Sequence, residues 1–372
     1  MNMKRILCTV LALTLAAGCL LLGGCSTPSV AMQVENKVYE MGDYLAYMYG
    51  TMYTDSTAYM YLYYYGEDAL SQKVTYGEDS KEVTLSEYIV NTTQDNMIRQ
   101  KAIEDLMATY NISWDADELK TVEEEIEKLK ADQFLPFGFN NERYIKMYKA
   151  MSLNELSLFN GLYDDGGKRE VSDADERKWF DEHYYSYKII EMSLMKDSKE
   201  LSADEIAKIK AQLEGYLDLY TKNGANSAAF DIAYRQYLAD TAEETDDKEK
   251  TAEEEKEPET ADRIDTIDED MDENLLKVMK ELKEGEIGIK TYQQGGTNKT
   301  MALILRMDPE AERGKDEDGK DIDFYVESHS QTLQYMKYDE LKKEIDEKVK
   351  TLKDKVTLND RAIKAADPKE LI

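Results

Sequence analysis

Cysteine is confined to the first stretch of the chain: Cys8, Cys19 and Cys25 are the three present. Beyond them the sequence offers no disulfide, no zinc–thiolate site and no cysteine nucleophile. Histidine is almost absent, with His183 and His329 far apart and no second histidine near either. Paired-imidazole metal sites and much familiar acid–base chemistry are thereby excluded. Positive charge is also short. Lys+Arg number 47 against 78 Asp+Glu, a formal net charge of −31. A binder of phosphate backbones needs clustered cations, so nucleic acid is not an expected partner. Apolar material is sufficient, at 42% hydrophobic residues, and 372 residues exceed what one core usually holds. Two domains are expected.

The opening segment reads as an address. Lys4 and Arg5 precede an uncharged apolar stretch from Ile6 to Leu22, then Gly23-Gly24-Cys25 and the polar Ser26-Thr27-Pro28-Ser29. This is the pattern of a secretory signal peptide, residues 1–24. Its end resembles a bacterial lipobox with Cys25 as the acylated residue, followed by a tether over 25–31. Cys19 is a rival site, but it would leave Leu20 to Leu22 as an apolar stub. An uncleaved anchor is the other alternative, since roughly 20 apolar residues span a bilayer. Each version places the body outside the cytoplasm, on the extracytoplasmic face of the cell membrane.

Periodicity then predicts the elements. Met32 to Tyr39 alternates around an Glu35-Asn36 turn, and Val74 to Val83 forms a second hairpin. Met41 to Tyr65 is dominated by Tyr and Met and reads as helix. The clearest helix covers about 86–110, with Ile98, Ala102 and Leu106 beside Ile103, Met107 and Tyr110. Further helices are expected from Asp115 to about Ala131, over 141–162, and from Ser172 to near His183. Strand-like Tyr187 to Met195 comes next. Ser202 and Glu205 form a capping box for a helix to about Lys222, and a short helix carries Phe230 to Tyr237. Residues 240–273 are acidic and poor in large apolar side chains, the composition of a segment that gains too little from burial to offset its ordering entropy. Asn274 to Lys283 is helical, Ile287 to Tyr292 and Thr300 to Met307 make a hairpin, and a long helix presents Leu341, Ile345, Val349 and Leu352 on one face. Val356 to Asn359 is a final strand. The fold class is α+β.

Four stretches resemble the PrsA/SurA family of extracytoplasmic foldases, in the family's order. Val30 to Tyr39 with Tyr44 is similar to its opening strand and helix. Ala102 to Glu118, with Tyr110-Asn111-Ile112-Ser113, is similar to a helix junction. Glu170-Val171-Ser172-Asp173 to Phe180 resembles the way into its isomerase domain, and Leu282 to Gly288 resembles the parvulin junction between last helix and last hairpin. The resemblance implies a mostly helical chaperone lobe built from both chain ends (32–183 and 311–372). Inserted in it would be a parvulin-like α/β domain at 184–310 carrying the acidic insert 240–273. It also implies a histidine on the first and on the last strand of that domain. Here Glu191 stands at the first position and Leu303, or Ala302, at the second. The expected activity is therefore a membrane-anchored chaperone or foldase for secreted proteins whose isomerase-like domain is degenerate, with no catalytic residue. An active peptidyl-prolyl isomerase and a non-chaperone surface-binding lipoprotein are the alternatives; a solute-binding protein would show repeated βαβ units.

Tyr44, Tyr47, Met48, Tyr59, Tyr61 and Tyr63 are the candidate client-binding residues. Tyr offers apolar area with a polar edge and Met repacks around varied partners; packing inside the lobe is the competing use. Asp268, Asp270 and Asp272 alternate like a calcium loop but lack its Gly and its last Glu. No metal or cofactor is expected. His183 is read as a surface or packing residue, His329 as exposed on a helix, and Trp114 and Trp179 as packing. The expected partners are unfolded or partly folded secreted polypeptides and, through the lipid anchor, the membrane; a homodimer is left open.

Overall fold

A computed structural model describes residues 30–77, 79–242, 260–295, 298–311, 313–315 and 319–372. The signal-peptide stretch, Cys25 and most of the acidic run lie outside the described residues. The chain divides into two compact units, residues 30–171 with Leu333–Ile372, and Ser172–Thr332. Together they are α+β.

The first unit opens with a hairpin, β1 (Val30–Val34) and β2 (Lys37–Glu40), turned by Glu35 at φ 54°. Helix α1 (Met41–Thr54) and the short α2 (Ser56–Tyr65) follow, then a second hairpin, β3 (Lys73–Tyr76) and β4 (Lys81–Thr84). Helix α3 (Leu85–Tyr110) starts at a capping box, where Thr84 and Glu87 satisfy each other's backbone N–H groups, and stops at Asn111 in the left-handed region. Helix α4 spans Ala116–Ile126, shorter than expected, and α5 spans Asn141–Tyr163.

In the second unit α6 (Asp173–His183) leads into β5 (Tyr184–Ser193), the small hairpin β6 (Met195–Lys196) and β7 (Lys199–Glu200), α7 (Ala203–Lys222) and α8 (Ser227–Ala242). Then come β8 (Ile264–Ile267), α9 (Glu273–Glu281), and the hairpin β9 (Ile287–Gln294) and β10 (Asn298–Met307). One four-stranded sheet results, in the order β8-β5-β10-β9, with antiparallel pairing throughout. Pleating sends alternate residues to opposite faces. Ile190, Met301, Leu303 and Leu305 pack with Leu213, Tyr216 and Phe230 of α7 and α8. Tyr185, Tyr187, Ala302 and Ile304 pack with Leu275, Val278 and Met279 of α9. The α9–β9 junction is held by Arg306, which donates to the carbonyls of Met279 and Leu282 at 3.1 and 2.7 Å.

Two expectations need correction here. The acidic insert is expected to run to Glu273, yet the chain re-enters the fold at Ala261, buried to 4% exposure, and pairs as β8 along β5. Asp265 in β8 binds Arg313 at 2.6 Å and accepts from the Ser186 hydroxyl. Burial opposes its ionisation, but those hydrogen bonds and the charges of Arg313 and Arg263 hold its carboxyl below the usual carboxylate range. The aspartates that alternate after it are spent locally: Asp268 meets the His183 ring and Asp272 caps α9. The second unit also takes in α6 and the chain up to Thr332, both of which the sequence assigned to the helical lobe.

The long helix α10 (Phe324–Lys353) returns the chain to the first unit, followed by β11 (Val356–Leu358) and α11 (Asp360–Ala365). Strand β11 pairs antiparallel with β1, placing Met32 opposite Leu358 and Val34 opposite Val356. Leu333, Leu341 and Ile345 share an apolar cluster with Ile103, Leu106 and Met107 of α3 and Leu158 and Leu162 of α5. Polar ties reinforce it, with Glu344 binding Arg169 at 2.8 Å and Lys348 binding Asp105 at 3.1 Å. Among the described residues no helix is long and apolar enough to cross a membrane.

Candidate functional site

The Tyr/Met stretch is not one helix but two, and the break decides which side chains are available. Asp55 sits between them in extended conformation, its carboxylate accepting from Ala58 N at 2.9 Å and from the Tyr88 hydroxyl at 3.0 Å. Upstream, α1 is core. Tyr44 and Met48 have no exposure and Tyr47 has 5%. Burial raises the Tyr44 phenol to about 12. These three cannot meet a client, which corrects half of the expected surface.

Downstream, α2 buries only Ala58. Its sequence, STAYMYLYYY, carries no charge, and an uncharged helix gains stability chiefly from packing of one face. Here Tyr61 and Leu62 pack inward while Tyr59, Met60, Tyr63, Tyr64 and Tyr65 stand in solvent. Tyr63 is 70% exposed and Tyr64 66%. The rings brace one another: Tyr59 stacks on Tyr63 one helical turn away at 6.0 Å, and the adjacent Tyr63 and Tyr64 meet edge-on at 5.2 Å. Gly66, at φ 56°, ends the helix. Of the expected client residues, Tyr59 and Tyr63 are thus exposed and Tyr61 is half-buried.

A second apolar surface went unread. Leu135–Phe137 forms a 3-10 turn closed by Gly138 at φ 86°, leaving Leu135 54% exposed. Phe137 lies 5.3 Å from the Tyr49 ring, which lies 4.6 Å from exposed Tyr53 at the end of α1. The sequence shows this segment as a chain break; the signal available was four large apolar residues, Phe134, Leu135, Phe137 and Phe139, around a Pro-Gly turn.

In the second unit Glu191 and Leu303 do not face one another. Antiparallel register sets Ala302 opposite Glu191 and Leu303 opposite Ile190, so Leu303 is sealed under α7 and α8 while Glu191 is on the other face. The Glu191 carboxylate accepts a hydrogen bond from the Tyr292 hydroxyl of β9. Burial, then this bond, push the Tyr292 phenol above its ordinary value, so it remains a donor at neutral pH. Neither histidine belongs to a strand. His183 stacks on Trp179 at 4.4 Å and its Nδ1 lies 2.9 Å from Asp268. His329, expected to be exposed, is half-buried with Nδ1 2.8 Å from the buried Glu176 carboxylate. Trp114 donates to Asn154 Oδ1 at 2.7 Å. A polar cavity of about 350 Å³ is lined by Arg177, Phe180, Pro309 and the acids Asp181, Glu284, Asp308 and Glu310, and Arg177 is already engaged by Asp181 and Glu310.

No family profile and no curated protein matches the chain in sequence. Solved structures similar to it include the foldase protein PrsA from Lactococcus lactis, at 12% identity and a TM-score of 0.33, covering 91% of this chain and 97% of that one. Foldase protein PrsA from Streptococcus pneumoniae is similar at 13% identity and a TM-score of 0.30, covering 78% of this chain and 97% of that one. Both likenesses are distant.

Proposed function

We propose that this chain is a chaperone of the PrsA/SurA foldase type that binds unfolded secreted polypeptides on the aromatic surface of its first unit. In this reading it is lipid-anchored at Cys25 on the extracytoplasmic face of the cell membrane. Several acyl chains on one cysteine suffice for stable anchoring. The observation that carries the reading is α2, a helix with one buried residue and five exposed large side chains. Exposed apolar groups standing singly need no explanation, but contiguous ones mark interaction surfaces. The test is suppression of client aggregation by a variant with Tyr59, Tyr63, Tyr64 and Tyr65 changed to Ser. Aromatic anchors at interfaces contribute about 1–2 kcal/mol each or more. Loss of two anchors would weaken client binding by roughly tenfold or beyond. The far-ultraviolet spectrum should be unchanged, because these rings support no core. Undiminished suppression would sink the reading.

The same proposal holds that the parvulin-like unit does not catalyse prolyl isomerisation. Rotation about a peptide bond meets a barrier of about 18–20 kcal/mol, and lowering it requires polar groups aimed at a twisted amide. At the two strand positions where the resembled family has histidine, Glu191 is bonded to Tyr292, and neither the Leu303 side chain nor the Ala302 methyl can donate or accept. With stoichiometric protein, a Xaa-Pro peptide should therefore isomerise at its uncatalysed rate, over tens to hundreds of seconds. A markedly faster rate, lost in Tyr292→Phe or Glu191→Ala, would establish an active isomerase instead.

A further inference from the structure

We infer that the α2 surface selects cationic segments: extended polypeptide carrying Lys or Arg among apolar residues. This rests on the client-binding reading above and names the client chemistry. From Val38 to Gln72 the chain contains no Lys, Arg or His, while Glu40, Asp43, Asp55, Glu67 and Asp68 fall within it. The exposed rings of Tyr59, Tyr63, Tyr64 and Tyr65 therefore have no cation on their own elements to cover them. Elsewhere in the protein such cations do cover rings: Arg169 lies 4.9 Å from the Tyr110 centroid and Lys37 lies 4.9 Å from that of Tyr39. The acids beside α2 are unevenly spent. Asp55 caps the helix, and Glu67 pairs with Lys369 at 3.2 Å. Asp68 is exposed and makes no ion pair among the described residues.

Electron-rich ring faces attract ammonium and guanidinium groups, and an adjacent carboxylate adds to the attraction. Apolar client side chains would lie against Met60 and the ring edges. A second copy of this chain is the less suitable occupant, since each copy carries a net charge of −31 and would present the same segment, Val38 to Gln72, without a cation of its own.

Fluorescence anisotropy on the full chain tests this with three labelled peptides of one length and one apolar pattern, bearing Lys/Arg, Gln or Glu at the polar positions. The Lys/Arg peptide should bind at least tenfold tighter than the Glu peptide, with the Gln peptide between. Its affinity should fall several-fold from about 50 mM to about 500 mM salt, where screening shortens the reach of exposed charges. Changing Tyr59, Tyr63, Tyr64 and Tyr65 to Leu keeps apolar area but removes the ring faces. It should lower binding of the Lys/Arg peptide and leave the Gln peptide nearly unchanged. Equal, salt-independent binding of all three peptides overturns the cationic preference and leaves the client-binding reading standing. Binding of none, with no suppression of aggregation, overturns that reading as well. Dimerisation by light scattering that is abolished in the Leu variant would assign the surface to a second copy and also overturn the inference.

Discussion

A chain ending at Thr332 should lose the fold of its first unit while keeping that of the second. The removed segment supplies Leu333, Leu341, Ile345, Leu352 and Leu371, each with 2% exposure or less, and the strand that pairs with β1. At about 1.5–3 kcal/mol for each buried aliphatic side chain, those five account for roughly 7–15 kcal/mol. A typical domain has a total stability of about 5–15 kcal/mol, so the remainder cannot stay folded. The second unit keeps its own sheet, its two flanking apolar clusters and the start of α10, where Phe324 packs edge-on to Tyr184. Hydrogen exchange resolves the outcome: amides of α1, α3 and α5 should exchange at coil rates, while those of β5 and β10 remain protected. If α3 keeps its protection, the discontinuous packing seen here is not what stabilises it.

Helix limits were legible where side chains write them. Asn111, Asp115, Ser172 and the Ser202–Glu205 pair each end or start a helix as the sequence indicates, because short polar side chains satisfy terminal backbone groups by local hydrogen bonds. The face of α10 was legible too, since Leu341 and Ile345 recur at helical spacing and do reach α3. The Tyr/Met stretch was not. With an aromatic or Met at almost every second position, the pattern defines no single face, and only the break at Asp55 separates buried Tyr44 from exposed Tyr63. The strand positions of the second unit failed for a different reason. Pleating has a period of two, so an uncertainty of one residue between Ala302 and Leu303 moves the side chain from the Glu191 face to the opposite one. Strand β8 was missed because an edge strand of IDTI is held by backbone pairing and by ion pairs to Asp265, which composition does not reveal.

Replacing Asp231 by Ala should be among the most destabilising single changes in the second unit. Lys188 points from β5 toward the α7–α8 layer and has 8% side-chain exposure; among the described residues its one ion pair is with Asp231, at 2.7 Å. The same Asp231 oxygen accepts from Ala261 N at 3.1 Å, fixing the point at which the chain returns after the acidic run. Removing the carboxylate leaves an ammonium buried without its partner, which costs about 3–5 kcal/mol. For a unit of this size that lowers the melting temperature by roughly 6–20 °C. Desolvating both charges is itself expensive, so the pair is a poor source of net stability compared with apolar side chains of similar volume. The double variant Lys188→Met with Asp231→Leu should therefore recover the part of the loss that comes from the unpaired charge. It should remain below the parent by about 1–3 kcal/mol, the cost of the unsatisfied Ala261 N–H. Thermal melts of the parent, Lys188→Met, Asp231→Leu and the double variant give the coupling between the two positions. Additive losses would mean that the two charges do not depend on each other, and that the cost of Asp231→Leu lies in the Ala261 contact alone.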